Sequence, residues 1–266
     1  MGLPEPSDGL RESGPARFAR AHHDFDWVAH DTEHFRLYAE RGPSVETRLV
    51  ALGTAADAAL RQSRAYVGRR SATGRVSLYF VDSRERMGDL LGRTPGGSAL
   101  PREDVAFFVA SHDGYAPALV HELTHLEAWE AFGERPLDEA WLDEGLATAS
   151  VGRCYAYTLD EAAAAVLREG RDIPLAELAA AFDVVDPAAY LQAGSVVAWV
   201  RERWGLGAVA ALWRGGLAAS ERATGLAPVA LDAAWRAHVV EADTGVELDW
   251  GALRDEGCEA SPEADP

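Results

Sequence analysis

The stretch that decides the fold covers residues 118–148 and reads ALVHELTHLEAWEAFGERPLDEAWLDEGLAT. Its first half holds His121 and His125, four residues apart in an apolar segment. On a helix, residues four apart lie on one face, so both imidazoles can point at the same place. Gly133 and Pro136 are typical helix-ending residues, and the remainder of the stretch therefore predicts a second helix after the first.

The second helix supplies a carboxylate that can complete a metal site. Glu144 would be the third ligand beside His121 and His125. Catalytic Zn²⁺ sites have three protein ligands in a tetrahedron and keep the fourth position for water. Glu122 lies about 100° round the helix, where it can reach a bound water rather than the ion. The pattern predicts a catalytic zinc site with Glu122 as the general base.

The alternative is a helix with two solvated histidines that bind nothing. With 8 His and 43 Asp or Glu residues in the chain, the His-Glu-x-x-His pattern is expected by chance below about 0.04 times per chain. The apolar helical context and the carboxylate at Glu144 favour the metal site.

The spacing of these residues resembles that of a known enzyme family. Eighteen residues separate His125 from Glu144, and Gly145 follows. This arrangement is similar to the gluzincin metallopeptidases, in particular their aminopeptidase-like branch, and residues 34–205 look like the compact peptidase MA-like domains of that group. The resemblance implies a zincin (thermolysin-like) fold, a Zn²⁺ cofactor, zinc ligands at His121, His125 and Glu144, and a general base at Glu122.

The resemblance also implies an oxyanion donor on a later helix. Residues 190–195, YLQAGS, look like the element in which a tyrosine opens that helix, so Tyr190 maps to the donor. Its glycine falls one residue later than in the family, and the alternative is a tyrosine that packs between helices. The motif that anchors the substrate amine in the aminopeptidases is missing from residues 96–104, so exopeptidase specificity is not supported.

Periodicity in the rest of the chain predicts an α+β protein. Strands are predicted at residues 34–38, 75–81 and 104–110, and residues 92–101 are predicted to be a loop because they are rich in Gly and Pro. Ser44 is expected to cap a helix over residues 45–67, and Asp138 a helix that runs to about residue 150. The other predicted helices cover residues 83–91, 116–132, 159–168, 175–182, 187–203, 206–219 and 227–240.

The predicted organisation has a sheet lobe followed by a helical lobe. Residues 1–24 form a flexible leader, residues 25–114 an N-terminal α+β lobe, and residues 115–254 the helical lobe with the zinc site. Residues 25–254 together make one catalytic domain. Residues 255–266 are an acidic tail, expected to be disordered.

Composition narrows the function classes. The net charge of −18 makes nucleic acid and anionic membranes poor partners. No stretch approaches the roughly 18 apolar residues of a membrane span, and residues 1–21 lack the apolar core of a signal peptide. We therefore expect a soluble protein, cytoplasmic unless an export signal was removed before residue 1. Cys154 and Cys258 do not form a disulfide framework, and the thiol in the tail is expected to be incidental.

Three further features have two interpretations each, and a fourth has a single expected role. Residues 105–110 would be the sheet edge nearest the zinc, to which a peptide could add, or else an ordinary buried strand. The histidines near the N-terminus form a second metal site or a solvated polar segment. They are His22, His23, His30 and His34. His112 and Asp113 contact substrate or form a turn, and Thr148 orients a ligand on spacing alone.

The sequence thus predicts a zinc-dependent peptidase that acts on a peptide or protein substrate. Two alternatives stay open: a non-catalytic zinc-binding or peptide-binding module on the same scaffold, and a zinc hydrolase of a non-peptide amide. The substrate sequence, the choice between endopeptidase and exopeptidase action, and the oligomeric state are not predicted.

Overall fold

The protein has an α+β fold built on a five-stranded mixed sheet. The computed structural model describes residues 13–42, 45–70, 75–110, 115–136, 139–154 and 156–258. The strands are β1 (Trp27–Asp31), β2 (Phe35–Glu40), β3 (Val76–Val81), β4 (Gly97–Leu100), β5 (Val105–Val109), β6 (Arg153–Cys154) and β7 (Tyr157–Thr158). The helices are α1 (Gly14–Ala21), α2 (Val45–Val67), α3 (Arg84–Leu91), α4 (Tyr115–Phe132), α5 (Ala140–Val151), α6 (Leu159–Arg168), α7 (Leu175–Ala180), α8 (Pro187–Trp204), α9 (Leu206–Gly215), α10 (Ser220–Thr224), α11 (Pro228–Glu241) and α12 (Trp250–Glu256).

The sheet runs in the order β1-β2-β3-β5-β4. Its three central strands β2, β3 and β5 are parallel, and the outer strands β1 and β4 pair antiparallel with their neighbours. The parallel strands are apolar on both sides because helices cover both faces of the sheet.

One face of the sheet, which we call the inner face, packs against α2 and α4. Its buried side chains include Leu37, Leu78 and Phe108, which pack with Leu52 of α2 and Leu119 of α4. The opposite, outer face packs against α1 and α3 through Tyr38, Tyr79, Phe107, Met87 and Leu90.

A separate core joins the helices that follow the sheet. Its largest fully buried side chains are Trp141, Trp213 and Trp235. Helix α4 contributes to both cores, because its Leu123 packs on the sheet while its Phe132 packs with the later helices. The His-Glu-x-x-His helix therefore lies between the sheet and the helical core.

Most of the predicted elements are present within two or three residues of the expected ends. The predicted strands at residues 34–38, 75–81 and 104–110 correspond to β2, β3 and β5, and the long helix α2 ends at Val67, before Gly68 at φ 76°. Helix α6 matches the prediction of residues 159–168, and its start has a capping box between Thr158 and Glu161. The predicted caps Ser44 and Asp138 lie outside the described residues.

The N-terminal region departs from the prediction of a flexible leader. Residues 14–21 form the helix α1, whose Ala16 and Ala19 are buried against the sheet. Tyr79 donates its hydroxyl to the Ala16 carbonyl at 2.8 Å, and the Trp27 indole donates to the Ala19 carbonyl at 2.8 Å. Tertiary contacts with the outer face order this segment despite its polar composition.

Residues 97–100 are a strand, and the prediction of a loop over residues 92–101 was wrong there. Backbone pairing with β5 gives β4 its extended form, even though Gly97 and Ser98 have low strand propensity. This pairing also corrects the expected edge of the sheet: β5 lies between β3 and β4, and β4 is the outer strand.

The two cysteines are bonded to each other, so the expectation of an incidental thiol was wrong. Cys154 and Cys258 form a disulfide across 104 residues of chain, with an S–S distance of 2.01 Å. A cross-link that closes a loop of this length stabilises a fold by about 4 to 5 kcal/mol in the chain-entropy model. The bond fixes the end of α12 to the β6–β7 hairpin, so the prediction of a disordered tail was wrong for residues 255–258. Residues 259–266 lie outside the described part.

Among the residues that the structure describes, no helix is both long enough and apolar enough to cross a membrane.

Candidate metal centre

Helix α4 carries two histidines of the candidate site and one neighbouring carboxylate, and all three are buried. His121 and His125 are buried, with exposed fractions of 7% and 8%, and Glu122 is 5% exposed. The two imidazole centroids lie 4.9 Å apart with their planes at 75°. Their one-turn spacing on α4 brings both rings to the same side of the helix, as predicted.

Helix α5 brings Glu144 to these rings. The Glu144 Oε2 atom lies 3.2 Å from His121 Nε2 and 3.7 Å from His125 Nε2. The three residues form a group whose candidate ligand atoms all lie within 4.8 Å of one another. The structure therefore brings together the three predicted ligands, which come from two helices.

These separations suit a tetrahedral zinc ion. Bond lengths of about 2.0 to 2.2 Å to nitrogen and oxygen, at tetrahedral angles, put neighbouring ligand atoms about 3.3 to 3.5 Å apart. The observed distances of 3.2 and 3.7 Å bracket that range. Two imidazoles and one carboxylate are also a donor set that Zn²⁺ accepts, so His121, His125 and Glu144 could hold it.

Asp143, which the sequence reading did not identify, holds the His125 ring in place. Its Oδ1 atom lies 2.6 Å from His125 Nδ1, and its Oδ2 atom accepts a hydrogen bond from Arg135 Nε at 3.0 Å. A carboxylate on Nδ1 leaves Nε2 of the same ring directed at the metal position. The residue directly before Glu144 thus orients a ligand on the other helix.

The charges at the site stabilise one another. Burial alone would lower the pKa of both histidines, but hydrogen bonding to Glu144 raises that of His121, and Asp143 and Glu144 raise that of His125 to about 10. Burial would raise the pKa of Asp143, but His125 and Arg135 lower it to about 2. The pKa of Glu144 is lowered in the same way, since His125 and His121 outweigh its burial. The site is therefore a buried cluster in which the carboxylates favour positive charge on the imidazoles, carried by protons in the metal-free protein.

A buried polar cluster around Thr124 connects α4 to α2 and α5. Thr124 lies between the two histidines in sequence, and its Oγ1 is 2.7 Å from the Val120 carbonyl, 2.7 Å from Ser150 Oγ and 3.1 Å from Ser63 Oγ. Buried hydrogen bonds of this kind contribute about 0.5 to 1.5 kcal/mol each. They connect α2, α4 and α5, and so they help to maintain the distance from the histidines to Glu144.

The glycine after Glu144 allows α5 to approach α8 closely. A Cβ atom at Gly145 would lie 2.8 Å from the Ala193 carbonyl oxygen and 3.0 Å from a Val197 methyl. Likewise, a Cβ atom at Gly194 of α8 would lie 2.7 Å from the Cγ2 atom of Thr148, which is one turn after Gly145. Its Oγ1 is buried with no hydrogen-bond partner among the described residues, so the expected role of Thr148 in orienting a ligand has no support.

The general-base candidate Glu122 lies against the outer strand of the sheet. A Cβ atom at Gly97 would lie 2.5 Å from Glu122 Oε1 and 2.8 Å from its Cγ, so only glycine leaves room for this carboxylate. Glu122 also raises the pKa values of His121 and His125, which shows that it is close to both rings. Glu122 thus follows the candidate ligand His121 on α4 and lies against β4 at Gly97.

The free side of β4 presents backbone groups of two residues. Val109 N–H donates to the Gly96 carbonyl at 2.8 Å, which makes Gly96 and Val109 a hydrogen-bonded pair of the antiparallel ladder. Because such pairs alternate, Ser98 also faces β5, while the N–H and C=O groups of Gly97 and Ala99 point away from it. In the described part of the chain, β5 is the one strand that pairs with β4.

Tyr190 is in the first turn of α8, and its ring packs edge-to-face on Phe182 with centroids 5.2 Å apart. Tyr190 lies one turn of α8 before Gly194, the residue at which α8 approaches Thr148 of α5. The structure thus has Tyr190 on the helix that packs on α5. Its role as an oxyanion donor stays a prediction. His112 and Asp113 lie outside the described residues.

A second histidine group lies at the end of α1. His22, His23 and Asp24 have ligand atoms within 4.8 Å of one another, with His23 Nε2 3.5 Å from Asp24 Oδ1. His23 is 88% exposed and Asp24 56% exposed. His30, in β1, and His34, just before β2, belong to no such group among the described residues.

No protein-family model matches the chain, and no curated protein matches it. The chemistry of the site therefore rests on its geometry.

Proposed function

We propose that the protein is a zinc-dependent metallopeptidase of the gluzincin type, with a zincin fold, that hydrolyses peptide bonds. The observation that carries the proposal is the position of Glu122. Its carboxylate is outside the group formed by His121, His125 and Glu144, follows His121 directly on α4, and lies against the outer strand at Gly97. A base that adjoins a metal ligand and lies against an outer strand is suited to hydrolysing an extended chain.

Each residue of the site has a separate role in the proposed reaction. His121, His125 and Glu144 would hold the ion, which when bound acidifies a water ligand and polarises the scissile carbonyl. Glu122 takes a proton from the attacking water and passes it to the leaving amine. Asp143 keeps His125 in the orientation and tautomer that leave Nε2 available.

The free edge of β4 supports a peptide as the substrate. An extended chain can add to a strand edge through backbone hydrogen bonds, and the outward groups of Gly97 and Ala99 offer such bonds. The substrate residue opposite Gly97 would then be beside Glu122. A sugar or a phosphate ester has no peptide backbone, so it cannot form the strand-like hydrogen bonds that this edge offers.

Tyr190 is the proposed oxyanion donor, by the resemblance of residues 190–195 to the family element. Loss of one such donor typically costs about 10²- to 10³-fold in turnover. Tyr190→Phe keeps the packing on Phe182, so a change in kcat without a change in the melting temperature supports the role. A variant as active as the wild-type protein removes Tyr190 from the mechanism.

The experiment that tests the proposal combines metal analysis with cleavage of a mixed peptide pool, read by mass spectrometry. We expect one zinc ion per chain and cleavage of unstructured peptides. Glu122→Gln should keep the zinc and lose the cleavage, whereas Glu130→Gln, on the exposed side of the same helix, should keep both. Full cleavage by Glu122→Gln contradicts the mechanism, and zinc without cleavage by the wild-type protein indicates a binding module.

We further propose that the protein works in an oxidising compartment. Disulfides persist in such compartments and are rare in the cytosol, and Cys154 is bonded to Cys258. Thiol titration of the protein unfolded without reductant tests this directly. Two free thiols in protein taken from its native compartment would contradict it.

A further inference from the structure

Arg93 lies beside the outer strand, on the opposite side of the sheet from Glu122. It follows Gly92, which ends α3 in a left-handed conformation at φ 71°, with Gly92 N–H bonded to the Gly88 carbonyl at 2.8 Å. The next residue, Thr94, accepts a hydrogen bond from Arg84 Nη1 through its carbonyl at 3.2 Å. The backbone on both sides of Arg93 is therefore anchored.

The guanidinium of Arg93 reaches the middle of β4. Its Nη2 donates to Ser98 Oγ at 2.5 Å, and Ser98 is buried while Arg93 is exposed. A guanidinium has five donors, and this contact uses one of them. Among the described residues, no carboxylate forms an ion pair with Arg93. A charged group with unused donors is thus tethered to the strand next to the candidate site.

The pleat of the strand decides which substrate side chain meets this group. Side chains of neighbouring residues in β4 alternate between the two faces, so Gly97 and Ala99 belong to the inner face with α4, and Ser98 and Leu100 to the outer face. A peptide paired to the free edge follows the same alternation. Its residue opposite Ser98 has a Cβ about 4.5 to 5.5 Å from that of Ser98 and points to the same face. That side chain therefore lies next to Arg93.

From this geometry we infer that Arg93 selects a carboxylate in the substrate, one residue away from the residue opposite Gly97. This inference rests on the proposed use of β4 as the peptide-binding edge. An Asp or Glu side chain at that position pairs with the free guanidinium donors. A free C-terminal carboxylate offers the same chemistry when the peptide ends there.

The test compares cleavage preferences of four proteins on one peptide pool, with each peptide made both as the free acid and as the C-terminal amide. For the wild-type protein we expect Asp and Glu to be favoured about two- to fivefold in kcat/KM at one fixed position within two residues of the cleaved bond, as for an exposed ion pair. Arg93→Gln should abolish the preference, and Arg93→Glu should replace it with a preference for Lys and Arg. Arg61→Gln, which removes an exposed arginine of α2, is the matched control and should change nothing.

The amide arm identifies the source of the carboxylate. A preference that survives amidation belongs to a side chain, and one that disappears belongs to the C-terminus. Cleavage with no acidic preference, or with the same preference in Arg93→Gln, overturns the inference and leaves the peptidase proposal intact.

A binding arm separates the two proposals further. The Glu122→Gln protein is titrated with a fluorescent peptide that carries Asp and with its Asn counterpart. Arg93-dependent binding of the Asp peptide without any cleavage by the wild-type protein supports the role of Arg93 and overturns the peptidase. If the protein shows neither cleavage nor selective binding, both proposals are overturned.

Discussion

In the part of the chain that the structure describes, two groups of histidine and carboxylate side chains could accept a metal ion, and they differ in their origin. His22, His23 and Asp24 are consecutive residues at the surface. His121, His125 and Glu144 come from two helices and are mostly buried, and Asp143 and Arg135 hold one of the rings.

The difference shows what separates a built site from a chance cluster. Neighbours in sequence are always close in space, so their proximity says little about function. The buried group instead depends on the fold: Thr124, Ser63 and Ser150 fix the helices, and Gly145 lets α5 pack closely on α8. Burying two imidazoles beside carboxylates costs desolvation free energy, which a bound cation would offset.

Loss of a proposed ligand should give the largest effect. His125→Ala or Glu144→Gln should weaken zinc binding by more than the roughly 100-fold that is usual when a residue supporting a ligand is lost. The double change His22→Ala with His23→Ala should leave the tight zinc ion in place. Competition with a chromophoric chelator measures both affinities, and circular dichroism controls for folding. Loss of the tightly bound zinc ion from the double variant would contradict the distinction between the two groups.

A methyl group at Gly97 should impair turnover while it spares the metal. The added Cβ of Gly97→Ala would lie 2.5 Å from Glu122 Oε1, so the carboxylate must move. A misplacement of about 1 Å in a catalytic group can cost up to about 100-fold in rate. Gly207→Ala, where a Cβ meets nothing within 4 Å, is the matched control. Unchanged kcat in Gly97→Ala would show that the position of Glu122 does not matter.

Removing the charge that orients His125 should have an intermediate effect. Asp143→Asn keeps the size of the side chain but loses the carboxylate on His125 Nδ1, and we expect zinc affinity or turnover to fall about 10- to 100-fold. Asp24→Asn makes the same chemical change in the surface group and should alter neither property. Equal effects of the two variants would remove the distinction between the groups.

Zinc affinity should also depend on pH. The pKa of His125 is raised to about 10, so in the metal-free protein near neutral pH its ring holds a proton that zinc must displace, and the raised pKa of His121 acts in the same direction. Affinity should therefore fall, by about tenfold per pH unit for each displaced proton, as pH decreases. Chelator competition between pH 6 and 8 measures the slope, and calorimetry in two buffers measures the released protons. A flat profile would contradict protonation of the metal-free site.

The same raised pKa values stabilise the metal-free fold in a defined pH range. A raised histidine pKa favours the folded state fully below the unfolded value of 6.5, and for His125 this contribution is lost as pH rises through about 10.

The sequence predicted the features that depend on local spacing. His121 and His125 are one helical turn apart, and the helix stop at Gly133 allows Glu144 to return to them. The periodicity of the apolar residues likewise predicted α2, α6 and α8 within a residue or so. These signals involve residues near one another in the chain.

The missed features are contacts between distant segments. Gly97 meets Glu122, and Cys154 bonds to Cys258 across 104 residues; neither contact has a local pattern. Strand β4 was predicted to be a loop because its composition is poor for a strand, and its pairing with β5 overrides that composition. The sequence shows Asp143 next to Glu144, but its role could not be predicted because it depends on the direction of the His125 ring.

The most direct test of the proposed metal centre is anomalous diffraction at the zinc edge from crystals of the zinc-loaded protein. We expect one strong peak about 2.0 to 2.2 Å from His121 Nε2, His125 Nε2 and Glu144 Oε2. A peak only at His22, His23 and Asp24, or none between the three buried ligands, would contradict the proposed centre.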